Sequence, residues 1–294
     1  MGVSPSLMAV ATDLLDANHI LHFLDVVDAF GHISARNPDN ASEFIMSFAI
    51  APALTTAQSL VTYAIENATA LRLTFNSSVT GDAIPSSFLE RFIHSQIYAA
   101  FPNATSVIHS HTRAVLPFGV SHTGLHAQMG TAAGALGALT PNGTPIFDTA
   151  ALPESVLPAD APHDLLIRDV QLGDALAGSF KQGSNVVLMR GHGMAVMSAQ
   201  SEQAGVRDAV FRAFYGMQSA VVQMQALLLG LAGGGGGGPG AGVHMDMGLS
   251  AREAVDAAAT NEGASLLGRA WDLWVAQVEG VSLYTNDLRA AATA

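Results

Sequence analysis

No cysteine occurs among the 294 residues. Disulfide cross-links, zinc-thiolate centres, iron–sulfur clusters and a cysteine nucleophile are therefore excluded together. Basic residues are scarce, twelve against twenty-four acidic for a formal charge of -12, and Lys181 is the single lysine. Such a chain cannot assemble the basic face that phosphate neutralisation needs, so nucleic acid is not an expected partner. A long apolar run is also missing. The longest uncharged stretch, between Arg212 and Asp246, is broken by Gln218, Gln223, Gln225 and a run of glycines. It reads as a buried helix followed by a loop, and no membrane is expected as a partner. Met1-Gly2-Val3-Ser4-Pro5 leads straight into a helical pattern without a basic and then apolar leader, so an exported form is expected to have lost its signal.

The composition, 49% apolar and 12% charged, suits a globular chain able to bury a full core. Five of its ten asparagines, Asn40, Asn67, Asn76, Asn103 and Asn142, lie in N-x-[ST] sequons. About 1.4 would arise by chance, which points to a secretory history, with a cytoplasmic location and coincidental sequons as the alternative.

The apolar stripe of Leu7 to Leu15 predicts an amphipathic helix. Strand-like runs follow at His32–Arg36, Glu43–Phe48, Leu60–Ile65 and Leu71–Phe75, each bounded by Asn, Asp, Gly or Pro. Ser86 and Ser87 are candidate N-caps for a helix to Ala100, which Pro102 stops, and Thr105–Ser110 is a compact apolar strand. From Gly130 to Pro162 the chain reads as loops around one short strand at Pro145–Asp148. Asp169–Phe180 reads as a helix, Asn185–Arg190 and Met194–Met197 as strands joined at Gly191-His192-Gly193, and Ser201 opens a helix to about Leu231. The expected organisation is one α/β domain over residues 1–231, a Gly-rich linker over 232–248 and a helical C-terminal extension over 249–294. Trp271 and Trp274, three apart in a helical stretch running from Ala251 to Val278, are assigned to packing.

Val107-Ile108-His109-Ser110-His111 is the most informative segment. Alternation on a strand projects His109 and His111 from one face, close enough to share a metal ion. Eleven histidines would give about 0.4 His-x-His by accident, so the pair alone is weak. Its surroundings add specificity. Glu90 and His94 lie four apart on the predicted helix leading into that strand, and Gly191-His192-Gly193 presents a third imidazole at a hairpin. Three neutral imidazoles with one carboxylate suit zinc or another divalent transition metal.

The run Glu90-Arg91-Phe92-Ile93-His94, then Tyr98, Phe101-Pro102-Asn103, Val107-Ile108-His109-Ser110-His111 and Arg190-Gly191-His192-Gly193 resembles the class II aldolase/adducin family. Gly31-His32-Ile33-Ser34-Ala35-Arg36 is similar to that family's early Gly-[Asn/His]-x-Ser-x-Arg motif. The resemblance spans roughly residues 7–230. It implies a three-layer αβα sandwich, here with a helical C-terminal appendage, and a homotetramer whose active sites lie between subunits. It further implies that His109, His111 and His192 bind a divalent metal, zinc foremost, with ferrous iron or manganese as alternatives. Glu90, nineteen residues before His109, takes the place of the acid/base glutamate. By the same resemblance Gly31, His32, Ser47 and His126 are the expected substrate contacts.

The sequence departs from the family's sugar-phosphate aldolases. His32 stands for the motif asparagine, Ser47-Phe48-Ala49 replaces a Thr-Gly turn, and Phe88-Leu89 separate Ser86-Ser87 from Glu90. A phosphate would lose donors and meet an aromatic ring. The segment at Ser47–Pro52 and the Glu90 motif look more like relatives that decarboxylate hydroxylated aromatic or other hydroxy acids. The expected function is a metal-dependent carbon–carbon lyase, by aldol cleavage or decarboxylation, acting on an unphosphorylated small molecule. A non-haem iron oxygenase or an epimerase/dehydratase on the same three histidines, and an adducin-like non-catalytic protein, are the alternatives. No tyrosine falls at the aldolases' proton-donor place near His126–Gln128; His126 or His122 could substitute, or be structural. Arg190 could hold a substrate carboxylate, bridge subunits or cap a carbonyl, Tyr98 is assigned to the core, and His19, His22, His163 and His244 are treated as solvent or packing residues.

Overall fold

The computed structural model describes residues 3–137, 142–180, 184–232 and 248–292. In chain order its elements are α1 (Pro5–Phe23), β1 (His32–Arg36), β2 (Glu43–Ser47), β3 (Leu60–Ala64), β4 (Ala70–Leu73), α2 (Arg91–Ala100), β5 (Ser106–Ser110), α3 (Leu116–Gly119), α4 (Ala133–Leu136), β6 (Ile146–Phe147), α5 (Val170–Phe180), β7 (Val186–Met189), β8 (Gly193–Ser198), α6 (Glu202–Ala232), α7 (Ala251–Asn261), α8 (Ala264–Glu279) and α9 (Asp287–Ala292). The Gly-rich run expected as a linker lies almost wholly outside the described residues, as does Lys181. No described helix is long and apolar enough to cross a membrane.

The strands form one sheet in the order β4-β3-β2-β1-β5-β8-β7-β6. Neighbours are antiparallel except for the short β6, which runs parallel to β7. Alternating side chains divide the sheet between two cores. Ile33, Ala35, Ile45, Leu60, Ile108, Met194 and Val196 belong to the core shared with α1, α6 and α8. Phe44, Met46, Val61, Tyr63, Val107, Val187 and Ala195 face the opposite way and join the core of α2 and α5. Helices on both faces of one sheet make the three-layer αβα sandwich.

Helix α1 starts where Ser4 caps it by accepting from the Leu7 amide, with Pro5 in the first turn. It runs eight residues past the expected apolar stripe. Asp16, Asn18 and His19 interrupt that stripe, yet all three are buried and paired: Asp16 accepts from Asn286 and Arg289, Asn18 donates to the Leu14 carbonyl, and His19 meets the Thr55 carbonyl. The C-terminal helical stretch is likewise not continuous. Gly263 N-caps α8, and Glu262 turns inward to accept from Arg212 Nε and Nη2 at 2.9 and 2.6 Å. Trp271 and Trp274 are buried in the α1/α6 core, as assigned. The five sequon asparagines are all exposed.

At the centre of the sheet β1, β5 and β8 lie side by side, with His32 opposite His109 and His109 opposite Ala195. The β7–β8 turn closes at the end where β5 finishes. Gly191 adopts a left-handed φ of +70°, and a Cβ on Gly193 would lie 2.0 Å from the Ser110 carbonyl oxygen. Only glycine permits that approach. Gly193→Ala is therefore expected to destabilise the fold by about 3 kcal/mol or more, read as a fall in the denaturant midpoint. A midpoint within error of wild type would show that this turn is free to move.

Candidate metal centre

Glu90, His109, His111 and His192 come together from three places in the chain, with one ligand atom of each lying within 4.8 Å of every other. Each is positioned by a different local device. His109 is the penultimate residue of β5, fully buried, and its Nδ1 donates to the Met194 carbonyl at 3.1 Å on the neighbouring strand. That bond puts the proton on Nδ1 and turns the Nε2 lone pair to the cluster. His111 lies just beyond the strand end, not on it as the alternation predicted, and its Nε2 is 2.9 Å from His109 Nε2. His192 stands at the apex of the β7–β8 turn, as expected, with Nε2 3.1 Å from His111 Nε2.

Glu90 is not inside a helix that Ser86 or Ser87 would cap. It is itself the N-cap residue of α2, which starts at Arg91. This correction matters to the site, because Glu90 and His94 then do not share a helical face. Glu90 turns to the imidazoles, its Oε2 3.3 Å from His109 Nε2 and 3.4 Å from His192 Nε2. Its Oε1 accepts from the Ile167 amide at 3.1 Å. His94 instead meets His32 and Ser34.

Three Nε2 atoms at such separations suit a cation better than they suit one another. A nitrogen is either donor or acceptor, so no placement of protons gives each contact its own. Nitrogens of a tetrahedral site with bonds of about 2.0–2.1 Å lie roughly 3.3 Å apart, close to what is seen. Neutral imidazoles with one carboxylate are a donor set for zinc or a similar divalent ion. Burial alone would raise the Glu90 carboxyl, but His109 and His192 beside it outweigh that and hold it well below the ordinary carboxylate range. Burial, and then the facing His109 and His192, push His111 down to about 4. Both residues are thus in the states that bind metal.

Around this centre the structure adds groups without a side-chain signature in the sequence, the Met194 carbonyl and the Ile167 amide. It also adds Asp28, 3.9 Å from His111 Nδ1, whose spacing three residues before Gly31 had not been read as a signal. A cavity of about 580 Å³ borders His111 and is lined also by Asp28, Arg113, His22 and Met217.

The expected substrate contacts divide. His32 is adjacent to the cluster, its ring 5.2 Å from that of His109 and 4.6 Å from Phe88. Gly31 serves close packing: a Cβ there would meet Val27 at 2.7 Å and the His109 carbonyl oxygen at 3.1 Å. Ser47 ends β2 at the same end of the sheet, but alternation places it with Ile45 on the α1 side, opposite His32. His126 is not brought to the cluster within this chain. Its amide donates to Gln223 and its carbonyl accepts from Ser219, both on α6. Arg190 pairs with Asp148 of the same chain at 2.6 Å, a partner that none of its expected roles named.

A buried imidazole and carboxylate cluster at the end of an αβα sheet is a site whose donors fit a divalent metal. Residues 12–220 match the Class II Aldolase and Adducin N-terminal domain, and the chain belongs to that family. It is 34% identical over 276 residues to the decarboxylase tropJ of Talaromyces stipitatus, covering 91% of this chain and 93% of that protein. Among solved structures it is similar to an aldolase II superfamily protein from Pseudomonas syringae, with a TM-score of 0.67, 18% identity and 96% of both chains covered. It is also similar to L-fuculose 1-phosphate aldolase from Glaciozyma antarctica, with a TM-score of 0.64, 15% identity and 95% and 93% covered. These structural likenesses concern the fold.

Two outcomes follow from the geometry. His192→Ala should lose nearly all bound divalent metal by elemental analysis while circular dichroism stays that of the wild type; full retention would remove His192 from the centre. In metal-free protein, His111 and His94 are lowered to about 4 and about 3, in each case chiefly by burial. Both stay neutral in the folded state, whereas the unfolded chain protonates them below about 6.5. Stability is therefore full above that pH and falls as pH drops towards 4, by on the order of 1.4 kcal/mol per pH unit for each histidine. Urea titrations at pH 7 and 5 measure it, and equal midpoints would contradict it.

Proposed function

We propose that this protein is a metal-dependent decarboxylase of an unphosphorylated, hydroxylated carboxylic acid. The observation that carries the reading is Glu90 Oε2 sharing one small space with the Nε2 atoms of His109, His111 and His192. The identity to a decarboxylase over nearly the whole chain supports this reaction over aldol cleavage.

His109, His111 and His192 would hold the cation, zinc being the expected one. A divalent cation there supplies a Lewis acid that polarises a substrate oxygen and stabilises negative charge left when a carbon–carbon bond breaks. The chain's own groups do the rest. Glu90 is pinned at Oε1 by the Ile167 amide and leaves Oε2 on the cluster side. A substrate oxygen entering that space displaces Oε2, and the freed carboxylate is then placed to move a proton. In the reaction Glu90 takes the proton of the substrate hydroxyl, the bond to the carboxylate carbon breaks, carbon dioxide leaves with the electron pair staying on the substrate carbon, and Glu90 returns that proton to the carbon.

The walls fit an unphosphorylated ligand. Phe88 packs on His32, and the Leu165 side chain reaches over Gly191 beside His192, apolar neighbours that offer a phosphate no donor. Leu165 holds a left-handed φ of +71°, a backbone cost tolerated two residues from the amide that pins Glu90.

The test is carbon dioxide release from a panel of ortho-hydroxylated aromatic and aliphatic hydroxy acids by protein loaded with zinc, manganese or ferrous iron. Glu90→Gln should lower kcat by about 10²–10⁴ while keeping its metal. Turnover unaffected by this substitution, or oxygen uptake in place of carbon dioxide release, would set the reading aside.

A further inference from the structure

Behind the metal centre runs a second set of buried polar groups that the proposed reaction leaves unused. His32 Nδ1 lies 2.7 Å from His94 Nε2, His94 Nδ1 lies 2.7 Å from Ser34 Oγ, and Ser34 Oγ lies 2.8 Å from the Tyr98 hydroxyl. All four residues are at most 2% exposed. His32 and Ser34 are two apart on β1, and His94 and Tyr98 are four apart on α2. Strand pleat and helical turn thus hold two residues of each element in line.

A chain of this kind has two polarities, and a buried proton without an acceptor decides between them. Among the described residues the hydroxyl of Tyr98 has Ser34 Oγ as its one hydrogen-bond partner. The phenolic proton therefore goes to Ser34. Ser34 then donates to His94 Nδ1, His94 Nε2–H donates to His32 Nδ1, and neutral His32 carries its proton on Nε2. The opposite polarity has one local attraction, the Val107 carbonyl beside His94. It strands the Tyr98 proton in a fully buried position and leaves the His32 Nε2 lone pair unused as well, whereas the Tyr98-led polarity leaves only the His32 Nε2 proton, at the end of the chain, for a ligand to accept.

His32 Nε2 has no hydrogen-bond partner among the described residues. His32 is 2% exposed, and its ring lies 5.2 Å from that of His109 and 4.6 Å from that of Phe88, so the unpartnered nitrogen belongs to a ring set directly beside the cluster.

We propose that Tyr98, Ser34 and His94 fix His32 as an Nε2–H donor to a negatively charged substrate oxygen, of a carboxylate or enolate, bound beside the His109 cluster. His32 touches the ligand; the other three are positioning residues. The substrate half of this inference rests on the function proposed above, whereas the tautomer does not.

Histidine-selective ¹⁵N labelling of zinc-loaded protein, with His32→Asn to assign the ring, reads the tautomer from long-range proton–nitrogen correlations. Protonated Nε2 on His32 is expected at neutral pH, and protonated Nδ1 overturns the proposal. Ser34→Ala cuts the chain and frees His94 to turn its proton to Val107. With zinc content unchanged, it should weaken salicylate binding, measured by calorimetry, by about tenfold or more. Ser34→Thr, which keeps the hydroxyl, should restore affinity; Ser34→Ala with wild-type affinity overturns the proposal. Wild-type protein that does not bind salicylate overturns the substrate half together with the hydroxy-acid reading, while the tautomer still stands or falls on the nitrogen spectrum.

Discussion

Lone pairs on three imidazole nitrogens repel one another when brought to about 3 Å in a site largely closed to water, and a backbone that brings them there must be held from several sides. Here the holding is done by the sheet. The Met194 carbonyl on β8 fixes which nitrogen of His109 is free, and the β5–β8 register sets where that carbonyl falls. The turn between β7 and β8 delivers His192 to the same sheet end because Gly193 passes against the Ser110 carbonyl. Glu90, at the first turn of α2, is tied by the Ile167 amide from the segment leading into α5. Groups from three separate places in the chain thus depend on one antiparallel register and one close glycine contact.

The same sheet face is divided between apolar packing and polar chemistry. Phe44, Val61, Tyr63 and Val107 pack against α2 and α5, while His32, Ser34, His94 and Tyr98 form a buried polar chain amid them. Buried polar groups are costly singly and rigid when each has a partner. Phe44 stacks near Tyr63, His94 and Tyr98 and thereby closes the chain against solvent. On the other face the ion pairs Asp13–Arg207, Asp16–Arg289 and Arg212–Glu262 tie the terminal helices to α1 and α6, away from the metal centre. These ion pairs thus lie on the sheet face opposite the buried polar chain.

Much of this was legible along the chain. The strand runs expected at residues 32–36, 43–48, 60–65 and 105–110 appear within a residue or so of expectation, because alternation and turn residues are local signals. The His-x-His pair and the glycine-flanked histidine were legible for the same reason. The start of α2 was not. Ser86 and Ser87 have the chemistry of N-caps, but Tyr63 takes the Ser87 hydroxyl as an acceptor and the helix waits until Glu90. Ser47 was misplaced because its face depends on the sheet register, and α1 looked short because the partners of Asp16 and His19 lie far along the chain.

By itself the sequence determined the residue types able to bind a divalent ion, the absence of competing thiolates, and the family to which the motifs belong. Spacing fixed that His109 and His111 stay close, since two residues cannot separate them. Only the tertiary structure decided that His192 meets them, that Glu90 turns away from His94, and that His32 is backed by Ser34 and Tyr98. Those outcomes turn on hydrogen bonds and close approaches between residues tens of positions apart, and they exist only when the sheet brings their backbones into register.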